Sequence, residues 1–405
     1  MNSLIESSIV MRPAPRKKYE LSKRADINSR ILDAILLYRY HLIGVENYIV
    51  RVILYQFKSA LNIIDDLLSD KNPELIRLLS IGRLYPSAIP IKESVEVTVP
   101  LSSTTIMEAR KPKGKSPLSP QGAKVVADYI IVQLGPRVGG TVNIVNNIIQ
   151  QAILRVADTE PKIIAELMRR ALPKNVLLKD DPPLDRIANI VAGNAKHRAA
   201  LQKRYGTVMK KVEMRLVDGL LQGKGIKDIA RDLRGVLSRE LAGGASMLAR
   251  TELQRAAAKS GKELYGHNKD IIKAEVWTTA LDTNVCLVCG NLDGNRYTVG
   301  VGPQPVDDTH PGCRCIRSPV VKSWRELGID VDDAPAGFRA SMGGAVPARV
   351  TFKDWFKRQS STDQKEILGK SRYELYKSGE LELNQFVANN RILTINKLKR
   401  KYKIK

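Results

Sequence analysis

The sequence predicts a mainly α-helical protein with a small α+β module, rich in cysteine and histidine, near its C-terminus. Three observations support this fold class. Apolar residues recur at helical spacing through the N-terminal and central regions. Glycine, proline and aspartate become dense between residues 290 and 312, where short strands and loops fit better than helices. All four cysteines fall between residues 286 and 315.

Length and charge narrow the class of protein further. A chain of 405 residues has room for about two to four domains. Lysine and arginine number 66 against 42 aspartates and glutamates, a net charge of +24. Such an excess disfavours a charge-balanced cytosolic enzyme and favours a polyanionic partner, with nucleic acid first and an anionic membrane second. Aromatic residues make up only 5%, which disfavours base-stacking recognition of single strands.

The sequence also indicates the cellular compartment in which the protein is made and folds. No run of 18 apolar residues exists, so we expect no membrane-spanning helix. Residues 1–15 lack the apolar core and small-residue cleavage site of a signal peptide. Four cysteines are too few for a disulfide scaffold in a chain of this length. We therefore expect synthesis and folding in a reducing cytoplasm.

Residues 1–30 are predicted to form a basic extended arm, because prolines alternate with cations there. Arg16, Lys17 and Lys18 are candidate non-specific nucleic-acid contacts, although a solvated tail explains the segment equally well. Residues 31–110 are predicted to be an N-terminal helical region with one short strand at Val95–Val99. Its long helix carries an apolar stripe that serves either the chain's own core or a partner helix: Ile35, Tyr38, Leu42, Val45, Ile49 and Val52.

A linker rich in proline, glycine and lysine is predicted at residues 111–122, followed by a helical core at 123–265. Within that core, Gly135-Pro136 and Gly139-Gly140 are expected to break one helix from the next. Gly223 and Gly225 are expected to end a later helix. A Cys/His module follows at 266–325, and then a C-terminal helical region at 326–405. The basic tail of that region supplies further candidate nucleic-acid contacts: Lys399, Arg400 and Lys401.

The cysteines and one histidine are arranged as metal ligands often are. Cys286 and Cys289 form a C-x2-C pair, and His310, Cys313 and Cys315 follow as H-x2-C-x-C. Two such groups joined by a glycine-rich loop are a common way to build a tetrahedral zinc site. We therefore expect a structural zinc ion. Five candidates compete for four positions; the preferred set omits Cys315. Two disulfides, or free thiols packed around a small core, are the alternatives.

A catalytic zinc site is less well supported by the sequence. Asp307 and Asp308 lie near the cluster, but no H-E-x-x-H motif is present. His310 is the last histidine of the chain, so an HNH-type nuclease would lack its downstream metal-binding group. We therefore predict no enzymatic activity and no catalytic residue.

Several of these residues together resemble a known family. The pattern is a helix with Ala-Arg-Thr-Glu, a strand with tryptophan, an aspartate before C-x2-C, and a closing H-P-x-C-R-C. It is similar to that of the phage Mu F-like minor head proteins, the phage head morphogenesis family of tailed bacteriophages. The resemblance covers about residues 190–320, and residues 355–379 resemble the tail often found after this domain. The matching residues are Leu248–Glu252, Trp277, Asp282, Cys286, Cys289, Gly294 and His310–Cys315.

The resemblance implies a structural role in the virion. A member of this family would be a minor capsid protein that associates with the portal protein, with the major capsid protein as a second partner. It would support head morphogenesis, DNA packaging or ejection. Packaged double-stranded DNA would be bound without sequence specificity. The expected location is the head interior or portal vertex, in multiple copies, with assembly in the host cytoplasm.

Two other function classes compete with this one. The first is a zinc-dependent nuclease or another DNA-processing enzyme. The second is a DNA-binding or chromatin-like protein with a zinc module that acts outside any virion.

Four residues of the matching pattern are expected to be structural. Arg250 and Glu252 do not face each other at their i, i+2 spacing, so each should bond elsewhere. We expect them to brace the Cys/His module against the helical core, with solvated surface charge as the alternative. Trp277 is expected to be a core aromatic beside the cluster. Asp282, just before the C-x2-C pair, completes this group.

Overall fold

A computed structural model describes residues 26–84, 118–179, 195–330, 332 and 337–404. The chain divides into two compact units. The first unit comprises Met1–Tyr48, Gln151–Ala195 and Ala249–Lys405, and the second comprises Ile49–Gln150 and Lys196–Leu248. The arm cations Arg16, Lys17 and Lys18, the predicted strand Val95–Val99 and residues 111–117 of the predicted linker lie outside the described residues.

Long helices dominate the described residues up to His267, which confirms the predicted mainly α fold class. A π-helical segment, Leu237–Ala242, lies between the fifth and sixth helices. The helices are α1 (Ile27–Leu67), α2 (Pro73–Leu84), α3 (Pro120–Ala171), α4 (Ala195–Leu221), α5 (Ile226–Val236) and α6 (Gly243–His267).

The apolar stripe of α1 is part of the chain's own core. Ile35, Tyr38, Leu42 and Ile49 are each less than 8% exposed. Burial within a single chain confirms core packing and leaves these four side chains unavailable to a partner helix. The helix begins at Ile27, so its first turn falls inside the segment expected to be an extended arm.

Helix α3 corrects one prediction. It continues without interruption through Gly135-Pro136 and Gly139-Gly140, so the expected helix breaks are wrong. Leu134, Val138 and Val142 are all 0% exposed. Their burial offsets the backbone hydrogen bond that the proline removes.

The glycines of α3 serve close packing within the second unit. The Tyr205 hydroxyl donates a hydrogen bond of 2.9 Å to the Gly135 carbonyl oxygen. A Cβ atom at Gly139 would lie 3.3 Å from the same hydroxyl oxygen, tighter than an ordinary contact. The close approach of Tyr205 therefore explains why position 139 is a glycine, and the residue does not end the helix.

The boundaries of the central helices follow local capping chemistry. Helix α3 starts with Pro120, whose fixed φ suits the first helical position, and the Ser119 hydroxyl accepts a hydrogen bond from Gly122 N–H at 3.1 Å. Helix α4 ends at Leu221, and Gly223 follows with a positive φ of 65°. The predicted stop at Gly223 and Gly225 is thereby confirmed.

A three-stranded antiparallel sheet follows α6 in the first unit. Strand β1 (Ile272–Thr278) lies in the centre, flanked by β2 (Arg296–Tyr297) and β3 (Ile316–Val321). In the β1–β3 register, Trp277 is paired with Arg317. The short helix α7 (Leu287–Leu292) lies between β1 and β2 in the sequence. The expected short strands and loops beyond residue 265 are thus present.

The C-terminal part of the first unit is built from short elements. Trp277, Cys289 and Cys313 share one buried core cluster with the aromatic residues Phe352 and Trp355. The elements after β3 are a 3-10 turn (Arg325–Leu327), β4 (Phe338–Ser341), β5 (Gly344–Pro347), α8 (Phe352–Lys357), α9 (Ser361–Leu368), α10 (Lys370–Lys377), a second 3-10 turn (Leu383–Phe386), β6 (Val387–Ala388), β7 (Arg391–Ile392) and α11 (Ile395–Tyr402).

A buried ion pair joins these short elements to the sheet. The Asp293 carboxylate accepts hydrogen bonds from the backbone N–H groups of Thr279 and Phe352, each at 2.7 Å. It also pairs with Arg339 at 3.1 Å, and that guanidinium donates to the Val350 carbonyl oxygen at 3.1 Å. Both side chains are at most 5% exposed. Four separate segments therefore meet at one carboxylate.

None of the helices in the described ranges is both long enough and apolar enough to cross a bilayer.

Candidate metal centre

The first half of the Cys/His cluster is built at the start of α7. Cys286 is the N-cap residue, and its sulfur accepts a hydrogen bond from Cys289 N–H at 3.4 Å. This helix start turns both side chains of the C-x2-C pair toward the same side. Cys289 is 2% exposed, whereas Cys286 is half-buried.

The second half comes from the loop that precedes β3. Cys313 N–H donates to the His310 carbonyl oxygen at 3.2 Å, which closes a tight turn. Gly312 adopts a positive φ of 70° in this turn, a conformation that glycine enters without steric cost. Cys313 and Cys315 are 0% and 3% exposed, respectively.

The two halves approach each other at distances that suit a shared metal ion. Cys289 Sγ lies 3.7 Å from Cys313 Sγ and 3.4 Å from His310 Nε2. Around tetrahedral zinc, two sulfurs are about 3.8 Å apart and a sulfur and a nitrogen about 3.5 Å apart, given bond lengths of about 2.3 and 2.0 Å. A disulfide would need about 2.05 Å. All four cysteines are free thiols in the structure.

All five predicted ligands are brought together. Cys286, Cys289 and His310 form one group in which the donor atoms lie within 4.8 Å of one another. Cys289, Cys313 and Cys315 form a second such group. Cys289 belongs to both, so the preferred set of Cys286, Cys289, His310 and Cys313 draws on the two groups together. The donor set of soft sulfurs and an imidazole fits a zinc-type metal.

His310 is oriented by the backbone. Its Nδ1 lies 2.9 Å from the Pro311 carbonyl oxygen, to which an Nδ1–H donates. Nε2 is thereby directed at the sulfur of Cys289. Metal-binding histidines are commonly fixed through such a hydrogen bond from the other ring nitrogen.

The cluster also redistributes protons. A hydrogen bond with Cys289 lowers the pKa of Cys286 to about 4, and His310 adds to this effect. The hydrogen bond with Cys286 in turn raises the pKa of His310 to about 9. Burial raises the pKa of Cys315. Metal binding would release the protons that the free thiols and the imidazole hold.

Comparison with known proteins identifies the segment that builds this cluster. Residues 210–318 match the family model described as Phage Mu protein F like protein. Residues 210–318 are therefore similar to the phage Mu F-like head morphogenesis proteins. The resemblance drawn from the sequence is thereby confirmed. The matched segment contains all five candidate ligands, and the family is a structural one. Neither a comparison with curated proteins nor one with solved structures gives a match.

Helix α6, which lies within the matched segment, holds the second ligand loop. The hydroxyl of Thr251 accepts a hydrogen bond from Gly312 N–H at 3.0 Å. Arg255 pairs with Glu252 one turn earlier and with Asp307 in the loop, the latter at 2.6 Å. Glu252 thus reaches the loop through Arg255. Neither Thr251 nor Arg255 was predicted to contact the loop, although the i, i+3 spacing of 252 and 255 in the sequence allows their pairing.

Arg250 has a different contact. Its guanidinium donates to Asn47 Oδ1 in α1 at 3.0 Å, within the first unit. It therefore joins two helices, while the contacts to the ligand loop come from its neighbours in α6.

Asp282 joins the two halves of the Cys/His cluster. Its carboxylate forms a two-pronged pair with Arg314, at 2.7 Å and 2.9 Å. Asp282 lies four residues before Cys286, and Arg314 lies between Cys313 and Cys315. The pair therefore ties the two ligand groups directly. Arg314 belongs to the matching H-P-x-C-R-C pattern, but its pairing with Asp282 was not predicted.

Trp277 and the tail cations occupy contrasting environments. Trp277 is 0% exposed within the core cluster that also contains Cys289 and Cys313.

The candidate nucleic-acid contacts of the tail, Lys399, Arg400 and Lys401, lie on α11 with exposed side chains.

A buried polar network next to the cluster was not foreseen. Arg39 of α1 lies 3.7 Å from Glu160 of α3 and also contacts Gln254 of α6. Gln254 in turn donates to Glu46. Burial raises the pKa of Glu46 to about 7, although the nearby Arg39 lowers it. Arg39 also lies 3.5 Å from the Cys315 carbonyl oxygen, which joins the network to the ligand loop.

Proposed function

We propose that this protein is a minor capsid protein of a tailed phage that associates with the portal vertex and supports head morphogenesis. The observation that carries the proposal is the Phage Mu protein F like match over residues 210–318. The cluster geometry within that match supports it, because the cysteines and the histidine of the family pattern converge on one compact centre.

The cluster is proposed to hold a structural zinc ion. The ligands would be drawn from Cys286, Cys289, His310, Cys313 and Cys315, and the preferred four omit Cys315. When bound, the ion would cross-link the start of α7 to the loop before β3, and the local fold would depend on it. The chain's own residues position that loop through the Thr251 and Arg255 contacts.

The surroundings of the cluster favour a structural site over a catalytic one. Three of the four sulfurs belong to residues that are at most 3% exposed. The nearby carboxylates of Asp282 and Asp307 are paired with Arg314 and Arg255. A catalytic zinc needs an open position and a base beside it. We therefore propose no enzymatic activity for this centre.

The proposed partners follow from the family and the charge. The portal protein is the first partner and the major capsid protein the second. Packaged double-stranded DNA is the third, bound through charge alone, because a net charge of +24 favours displacement of counterions from phosphates. The protein would act in the head interior or at the portal vertex in multiple copies, after assembly in the host cytoplasm.

The test is incorporation into particles. We expect the full chain to copurify with the portal protein of the same phage and with assembled heads. Cys289→Ser, which removes the residue shared by both ligand groups, should abolish incorporation, as should His310→Ala. His267→Ala, at the end of α6 and outside the cluster, is the matched control and should assemble normally.

Two results would contradict the proposal. One is a protein found only in extracts of infected cells and never in particles. The other is zinc-dependent plasmid cleavage by the purified chain that disappears in His310→Ala, which would favour the nuclease alternative.

A further inference from the structure

Helix α11 presents a cationic face. Lys397, Arg400 and Lys401 are spaced i, i+3 and i+4, which places them on one side of a helix. All three side chains are exposed. We use the name α11 cationic face for these three residues.

The opposite side of α11 is fixed to the core of the first unit. Leu398 is 0% exposed and belongs to the core cluster, and Ile395 and Tyr402 pack against it. The Thr394 hydroxyl caps the start of the helix by accepting a hydrogen bond from Lys397 N–H at 3.4 Å. The three cations are therefore held in a defined orientation on a packed helix.

Ion pairs among the described residues do not account for these cations. No acidic residue occurs between positions 383 and 404. Among the described residues, Lys397, Arg400 and Lys401 form no ion pair, whereas Lys353 of the same unit pairs with Glu382 at 3.0 Å. Like charges at this spacing destabilise a helix. Lys397 also lies in the first helical turn, where the helix dipole disfavours a cation.

We propose that the α11 cationic face binds the phosphate backbone of double-stranded DNA without sequence preference. The inference rests on the proposed function, which places the protein beside packaged DNA, and it assigns the contact to one surface. Three cations on one face can neutralise neighbouring phosphates and release their counterions.

Two other polyanions fit the face less well. A helix that binds a membrane surface inserts its apolar side, but the apolar side of α11 is already buried by Leu398, Ile395 and Tyr402. Single-stranded nucleic acid is held by exposed aromatic rings. Tyr402, the aromatic residue of α11, is half-buried, with Lys401 Nζ 5.2 Å from its ring centroid.

The experiment measures the salt dependence of binding between the full chain and a short DNA duplex of random sequence. The triple variant Lys397→Gln, Arg400→Gln, Lys401→Gln should reduce the slope of log Kd against log salt by about 2 to 3, at about 0.9 per lost phosphate contact. The matched control removes three exposed lysines of the second unit: Lys58→Gln, Lys203→Gln, Lys210→Gln. Its slope should equal that of the unmodified chain.

A second variant separates binding from folding. Lys397→Glu places an acid in the first turn of α11, which favours the helix, while it removes a cation from the face. We expect weaker DNA binding with an unchanged or higher melting temperature. Weaker binding that appears only together with a lower melting temperature would overturn the inference.

Three further outcomes would also overturn it. They are an equal loss of slope in the control variant, no duplex binding by the unmodified chain, and equally tight binding to phosphatidylserine vesicles that the triple variant loses. Particle incorporation distinguishes the inference from the proposed function. If the chain enters heads but the triple variant binds DNA normally, only the α11 inference fails.

Discussion

Replacing Glu46 with glutamine should stabilise the protein at alkaline pH and much less at acidic pH. Glu46 is 5% exposed, and its carboxylate accepts a hydrogen bond from Gln254. Burial raises the pKa of this group from 4.5 to about 7, against the opposing effect of Arg39. The folded protein therefore holds a proton that the unfolded chain releases between pH 4.5 and 7, and stability falls as pH rises through that window.

The size of the effect follows from the pKa difference. A shift of 2.5 units between 4.5 and about 7 corresponds to about 3 kcal/mol when the carboxylate is fully ionised. Glutamine resembles the protonated carboxyl group and keeps an oxygen that can accept from Gln254. We therefore expect a gain of about 3 kcal/mol at pH 8 and about 1 kcal/mol at pH 5.

Urea unfolding of the full chain at the two pH values is the assay. Glu366→Gln, at an exposed position on α9, is the matched control and should change stability by less than about 0.5 kcal/mol at either pH. A gain of the same size at pH 5 and pH 8, or a loss at pH 8, would refute the argument that burial of the Glu46 charge costs stability.

Three other perturbations test the centre and its supports. Thr251→Val leaves the Gly312 N–H without its acceptor and should lower the free energy of unfolding in urea by about 1 to 3 kcal/mol. Thr251→Ser keeps the hydroxyl and should cost less than half as much. Equal losses in the two variants would show that the hydrogen bond is unimportant. Asp293→Ala removes the partner of buried Arg339 and two backbone acceptors, so a loss of about 3 to 5 kcal/mol is expected, and a loss below about 1 kcal/mol would contradict the structure. Metal analysis of the purified protein should give about one zinc per chain. Removal of the metal by a chelator should raise the rate of amide hydrogen exchange across residues 286–315. Four titratable thiols and no metal would instead support folding of the cluster by packing alone.

The ligand cluster was predictable because its chemistry is local. C-x2-C and H-x2-C-x-C each fix their donors within a few residues, so spacing alone indicated which side chains would converge. The residues that hold the ligand loop in place could be predicted only in part from the sequence. Glu252 was singled out, but the pairings of Arg255 with Asp307 and of Arg314 with Asp282 were missed, because these carboxylates lie 52 and 32 residues away in the sequence.

The prediction of helix breaks within α3 failed because it considered local residue preferences and not burial. Proline and glycine were weighed by their backbone preferences alone, and the buried residues Leu134, Val138 and Val142 reversed that preference. The polar network could not be predicted because its members come from three helices: Arg39 and Glu46 from α1, Glu160 from α3 and Gln254 from α6. Sequence periodicity shows that a helix buries one side, but it does not show which distant polar residues meet there.

The first turn of α1 is joined to residues that are synthesised much later. The Asn28 side chain forms hydrogen bonds with both backbone groups of Val321, 293 positions later in the chain. The Val321 N–H donates to Asn28 Oδ1 at 2.7 Å. Ser29 Oγ accepts from Gly337 N–H at 2.8 Å across 308 positions. At translation rates of about 5 to 20 residues per second, α1 waits about 15 to 60 s for these partners. The start of α1 can pack earlier against Ile164 and Met168 of α3, but its polar first turn gains these hydrogen bonds only once β3 and the segment after it have been made.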